Sequence, residues 1–128
     1  MPNRYGRGYI QDQATRYPLL QRAGVDRIAL TPQIIVFRTR DDAAAGQLVV
    51  DSAALGAAAT REPADPPDNV PGAVCVHDTI APNAAQIRCF VSYRRYVALI
   101  LGQSLWKTQQ AAAAQYALLA NAQAVLAD

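Results

Sequence analysis

The chain alternates between short runs that are apolar without interruption and longer stretches whose apolar positions recur at helical spacing. A first helix fits Gln11 to Ala23, with Asp12 suited to its first turn and Gly24 a natural stop. Pro18 inside this span divides the helix or moves its start to Tyr17. Val25 to Leu30 is a short candidate strand, broken by Thr31-Pro32. In Gln33 to Thr39, the residues Ile34, Ile35, Val36 and Phe37 are β-branched or aromatic and follow one another without polar alternation. That pattern predicts a strand buried on both faces. Thr39 or Asp41 can cap the next helix, and Asp41 and Asp42 sit where the helix dipole favours carboxylates. Its apolar stripe is Ala44, Leu48, Val49 and Leu55, and Gly56 ends it.

Residues 57–72 read as a long loop, with Pro63, Pro66, Pro67 and Pro71 set among Asp, Glu, Asn and Gly. Strands follow at Ala73 to His77, Gln86 to Tyr93 and Tyr96 to Leu101, with a turn region at Ile80 to Ala85. The Arg94-Arg95 link is short enough for a hairpin. A final Ala-rich helix runs from about Leu105 to Ala127 and carries Leu105, Ala112, Tyr116, Leu119 and Ala120 on one face. Residues 1–10 read as a flexible tail, and 11–128 as a single domain. The order α-(β)-β-α-β-β-β-α predicts an α+β fold: a mainly antiparallel sheet of about four strands with helices packed on one face.

Composition narrows the class. A chain of 128 residues suits one packed core. Hydrophobic residues make up 52%, but Ala supplies much of that share, so the core rests on the Val-, Ile- and Leu-rich segments. A net charge of +2 gives no electrostatic argument for nucleic acid or a membrane surface. Lys107 is the only Lys, and Arg with abundant Ala is the usage of a GC-rich genome. Val97 to Leu101, the longest unbroken apolar run, is too short to span a bilayer. Met1 to Tyr9 is polar and Arg-rich, which is not a signal peptide. The chain is therefore expected to be cytoplasmic or a piece of a longer exported protein.

Cys75 and Cys89 are the only cysteines. An antiparallel hairpin that sets Cys75 opposite Cys89 also sets His77 opposite Ile87 and Ala73 opposite Val91, leaving 78–86 as the loop. Both thiols then share a face. A non-hydrogen-bonded antiparallel pair brings Cα atoms to ~4.5 Å, within disulfide reach. Three alternatives stay open at this point: two free buried thiols, a zinc site from Cys75, His77 and Cys89 without an evident fourth ligand, and a Cys–His nucleophilic pair without a recognisable motif.

Several segments, taken in order, resemble a known family. They are Gly24-Val25-Asp26-Arg27, then Val36-Phe37-Arg38-Thr39-Arg40-Asp41-Asp42-Ala43-Ala44-Ala45, Pro71-Gly72-Ala73-Val74-Cys75 and Arg88-Cys89-Phe90-Val91-Ser92-Tyr93. Arg95-Tyr96-Val97-Ala98 and Ala113-Ala114-Gln115-Tyr116-Ala117-Leu118-Leu119 complete the series. Together, over about residues 16 to 122, they resemble the C-terminal domain of actinobacterial, chiefly mycobacterial, cell-envelope lipoproteins of unknown function. The resemblance implies export through a lipobox signal, a larger N-terminal domain and an oxidising compartment, which favours the disulfide. It brings no catalytic residues. Its members commonly carry a small residue, often Gly, at the place of Arg94.

The remaining candidates are surface features. Tyr93-Arg94-Arg95-Tyr96 interleaves aromatic and basic residues, a composition that suits stacking on bases. It equally suits a hairpin tip with Arg in water and Tyr folded onto the sheet. Trp106 opens the last helix and, if exposed, marks a contact surface. Tyr93, Arg94, Arg95, Tyr96 and Trp106 are thus the candidate contact residues, with no catalytic or metal-ligating residue and no cofactor. The expected function is a non-enzymatic extracytoplasmic domain of an envelope lipoprotein, for binding or assembly. Its partner would be an envelope protein or small ligand rather than nucleic acid, and it would meet the membrane only through a lipid anchor. As an oligomer it would be a monomer or weak homodimer. The alternatives are a small-molecule or lipid-binding domain with a pocket between sheet and helices, reaching His77 or Cys75, and a cytoplasmic zinc or thiol protein.

Overall fold

The computed structural model describes residues 18–54, 60–81 and 84–126. The tail expected over 1–10, the first part of the first helix, Leu55-Gly56 and the tip of the Cys-bearing hairpin lie outside them. Helical residues 18–22 (α1) end in two interlocked turns. The Val25 N–H donates to the Leu20 carbonyl and the Gly24 N–H to that of Gln21, each at 3.0 Å. Gly24 adopts φ +67° there, a helix stop that needs a left-handed residue. A Cβ at Gly24 would lie 2.8 Å from the Arg40 Cβ, so the stop also lets α1 dock against the chain leaving the second strand.

Six strands form one antiparallel sheet: β1 (Arg27–Leu30), β2 (Ile34–Arg38), β3 (Thr60–Ala64), β4 (Val74–Ala81), β5 (Ala84–Tyr93) and β6 (Tyr96–Gly102). Their spatial order is β1-β2-β6-β5-β4-β3. Helix α2 (Asp42–Ala54) carries the chain from β2 past three strand positions to the far edge. The meander β3 to β6 then returns to pair with β2, and α3 (Leu105–Leu126) follows. Asp41 caps α2: its Oδ1 accepts the Ala44 N–H at 2.7 Å. Buried Thr39 joins the sheet to that cap, its N–H donating to the Arg95 carbonyl at 2.7 Å.

The α+β class and the antiparallel sheet hold, but two details of the expectation need correction. The strands number six, because the candidate strand within Val25 to Leu30 joins the sheet as β1 and β3 adds the opposite edge. β3 lies inside the segment 57–72 that reads as a loop, since Thr-Arg-Glu-Pro-Ala has no apolar alternation to announce a strand. The helices also cover both faces of the sheet, not one. Leu48, Val49, Phe37, Val76, Phe90, Val97 and Leu99 pack with α1 and α2 on one side. Ile34, Val36, Cys75, Ile87, Cys89, Val91, Ala98 and Ile100 pack with Ala112, Tyr116 and Leu119 of α3 on the other. Adjacent residues of β2 and β6 serve opposite cores, which is why those strands are apolar throughout.

Candidate functional site

The cysteines are joined as a disulfide across β4 and β5. The register is the one the hairpin arithmetic gives, Cys75 opposite Cys89 and His77 opposite Ile87, but 78–86 is not a loop: the ladder continues through Asp78↔Gln86 and Thr79↔Ala85 to Ala81↔Ala84. Two backbone bonds between β6 and the chain of β2 fix the pair's type. The Leu101 N–H donates to the Gln33 carbonyl and the Thr39 N–H to that of Arg95, so odd-numbered residues of β6 bond toward β2. By alternation, Cys89 bonds toward β6, and Cys75 and Cys89 face each other as a non-hydrogen-bonded pair. Their Cα atoms are 4.1 Å apart, and both residues are buried in the α3-side core. With both sulfurs bonded, neither can serve as a zinc thiolate or a nucleophile. Among the described residues no three His, Cys, Asp or Glu cluster to hold a metal. His77 is half-buried between Glu62 of β3 and Ile87 of β5.

On the opposite face of the same two strands, Arg88 Nε lies 2.9 Å from Asp78 Oδ2. Asp78 is only 1% exposed. A buried carboxylate so placed needs its guanidinium partner to offset desolvation. The pair therefore reads as part of the packing beneath α2.

The five candidate contact residues fall into two places. At the β5–β6 turn, the Tyr93 ring meets Tyr116 of α3 edge-on, with centroids 5.6 Å apart and planes at 81°. The Arg94 guanidinium sits 5.9 Å from the Tyr93 ring centre on the outer side. Arg94 has φ +57°, and no positive φ occurs at Arg95. That is the φ signature of a type II′ turn, which prefers Gly at its first central position. Tyr96 and Arg95 are half-buried, and the Arg95 carbonyl is taken by Thr39. Tyr96 lies opposite both Tyr93 and Arg38, which makes a row of three side chains on the α3 face. Arg38 ends that row in a two-pronged contact with Asp26, Nε to Oδ1 at 2.8 Å and Nη2 to Oδ2 at 2.7 Å. The hydrogen bond from Arg38 is the main reason the Asp26 carboxyl titrates below its ordinary range, and it raises Arg38 in turn.

Trp106 lies at the other end of the sheet. β6 runs from the Arg94-Arg95 turn to the start of α3, and seven strand residues span roughly 20 Å. Trp106 is 64% exposed and lines an open groove of about 880 Å³ with Asp65, Pro67, Asp68, Asn69 and Gln110. Sequence reasoning singled out Trp106 but missed its neighbours, because the loop that faces it lies about forty residues earlier in the chain. The loop is anchored: Gln109 Nε2 donates to the Asp65 carbonyl at 2.8 Å, Pro67 and Val70 are buried, and Asn69 takes φ 61°. An aromatic ring beside carboxylates and amides can stack and hydrogen-bond. The groove's lining holds no thiol, hydroxyl or imidazole. A second open groove, of about 800 Å³, lies at the start of α3 between Gln33, Gln86, Gln103 and Lys107. Neither groove reaches His77.

No curated protein and no solved structure matches the chain. Residues 3–122 match the family described as "Domain of unknown function (DUF7373) C-terminal", and the chain belongs to that family.

Proposed function

We propose that this chain is a non-enzymatic extracytoplasmic domain of a cell-envelope lipoprotein, used for binding or assembly. The disulfide carries this reading. A cross-strand bond buried in the core persists in an oxidising compartment and is rare where thiols are kept reduced. No helix among the described residues is long and apolar enough to cross a membrane, and in this reading a lipid group supplies the anchor. Contacts fall to surface features, above all the Trp106 groove with its ring, carboxylates and amides. A pocket between sheet and helices is the less favoured alternative. Phe90, Leu48, Leu99 and Val49 fill one interface, and Val91, Ala98 and Ala112 the other.

The test is alkylation of protein recovered from its own compartment, followed by intact mass. No label without reductant and two labels with it are expected. Labelling of both cysteines without reductant would remove the basis of the exported reading.

A further inference from the structure

Among the described residues, β1 has a strand partner on one side only. The Thr31 N–H donates to the Ile34 carbonyl at 2.8 Å, and Ala29 and Arg27 follow in register with Val36 and Arg38. Because strand hydrogen bonds alternate, Arg27, Ala29 and Thr31 turn their N–H and C=O groups toward β2. The bonds from Gln33 and Thr39 to β6 require the same alternation from the other side of β2. The N–H and C=O groups of Ile28 and Leu30 therefore face away from the sheet. Their side chains lie opposite Phe37 and Ile35 on the α1–α2 face, 53% and 68% exposed. The other edge is different. By the same alternation, Pro63 of β3 occupies an outward-bonding position and has no N–H to offer. Among the described residues, then, one edge is blunted, and the other has no neighbouring strand and carries two large apolar side chains.

We propose that β1 pairs with β1 of a second copy, antiparallel, about a two-fold axis passing midway between the two Ala29 residues. The occupant follows from the spacing. The outward-bonding residues, Ile28 and Leu30, lie symmetrically about Ala29. Ile28 then meets the second copy's Leu30, and Leu30 meets the second copy's Ile28, each as a hydrogen-bonded pair with two N–H···O bonds. Ala29 meets its own counterpart in the close non-hydrogen-bonded position, where Cα atoms approach to ~4.5 Å and a small side chain fits. The four apolar side chains form one continuous row on the α1–α2 face. Arg27 lies opposite Thr31, so no like charges are paired. A slip by one residue would set outward groups against inward ones and split the apolar row between faces. The result is one sheet running through both copies. Four residues per copy bury far less than the ~800 Å² per partner of a stable interface, so the dimer is weak and depends on concentration.

Sedimentation equilibrium from about 10 µM to about 1 mM tests this, with amide exchange read at the two ends of that range. The mass should rise from 13.7 kDa toward twice that value. Exchange at Ile28 and Leu30 should slow with concentration, while Ala29 stays protected throughout. Ile28→Pro removes one outward N–H and leaves the bonds to β2 intact; Leu30→Lys puts a charge in the apolar row. Each should weaken association by about tenfold or more. The Lys variant keeps the test valid if the Pro variant fails to fold. A chain still at 13.7 kDa at the top of the range, or association unchanged in a folded variant, overturns the proposal.

Discussion

Removing the disulfide, by Cys75→Ala with Cys89→Ala, changes chiefly what the unfolded chain is allowed to do. The two cysteines are 14 residues apart. For a loop of about 15 residues the chain-entropy relation gives ~10 cal/mol/K, or ~3 kcal/mol at room temperature. The native state should change little, because the two strands stay paired from Val74↔Phe90 through Asp78↔Gln86 without the bond. At ~2.1 cal/mol/K of unfolding entropy per residue, a chain of 128 residues should lose about 11 °C in Tm. Urea unfolding gives a second reading: the variant's unfolded state is less compact, so its m-value should rise as its midpoint falls. A loss below about 1 kcal/mol with unchanged m would refute the reasoning, because it would mean that the hairpin persists in the unfolded chain.

Three further outcomes follow from single positions. Arg94→Gly should stabilise by about 0.5–1 kcal/mol in thermal unfolding, since relief of a left-handed conformation outweighs the lost contact with Tyr93 and the entropy of Gly. Gly102→Ala should cost about 1–3 kcal/mol, because its Cβ would collide with Thr108 Oγ1, which donates to the Ser104 carbonyl at 2.7 Å. Adding Thr108→Ala to that variant should recover part of the loss in the same urea titration. The stabilisation that Asp26 draws from Arg38 should be fully present above the unfolded carboxylate pKa of ~3.9 and fade as pH falls through the lower folded value. The Tm difference between the wild type and Asp26→Asn should therefore shrink below about pH 4 and persist at neutral pH.

How far sequence reading reached differs by element. The strands at β2, β5 and β6, the cap at Asp41 and the apolar face of α3 were legible because each is set by local pattern or by a side chain bonding within its own turn. β3 was not. An edge strand with Pro63 in an outward-bonding position gives no periodic signal, and only β4 alongside makes it a strand. The Trp106 groove was half legible, since an exposed ring can be guessed from its position but the docking of residues 65–69 beside it cannot.

By itself, then, the sequence determined the α+β class and the unbroken apolar runs of β2 and β6, and it offered a hairpin register that faces Cys75 with Cys89 as one reading among several. Those runs point to burial on both faces, because consecutive strand residues point to opposite sides, yet the element order alone suggests helices on one face only. Which helix supplied which cover was decided by the tertiary structure, through the path of α2 to the far edge and the return of β6 beside β2. It likewise decided that β1 is an edge, and so that Ile28 and Leu30 are exposed. Edges are a property of strand order, and strand order depends on contacts between residues far apart in the chain.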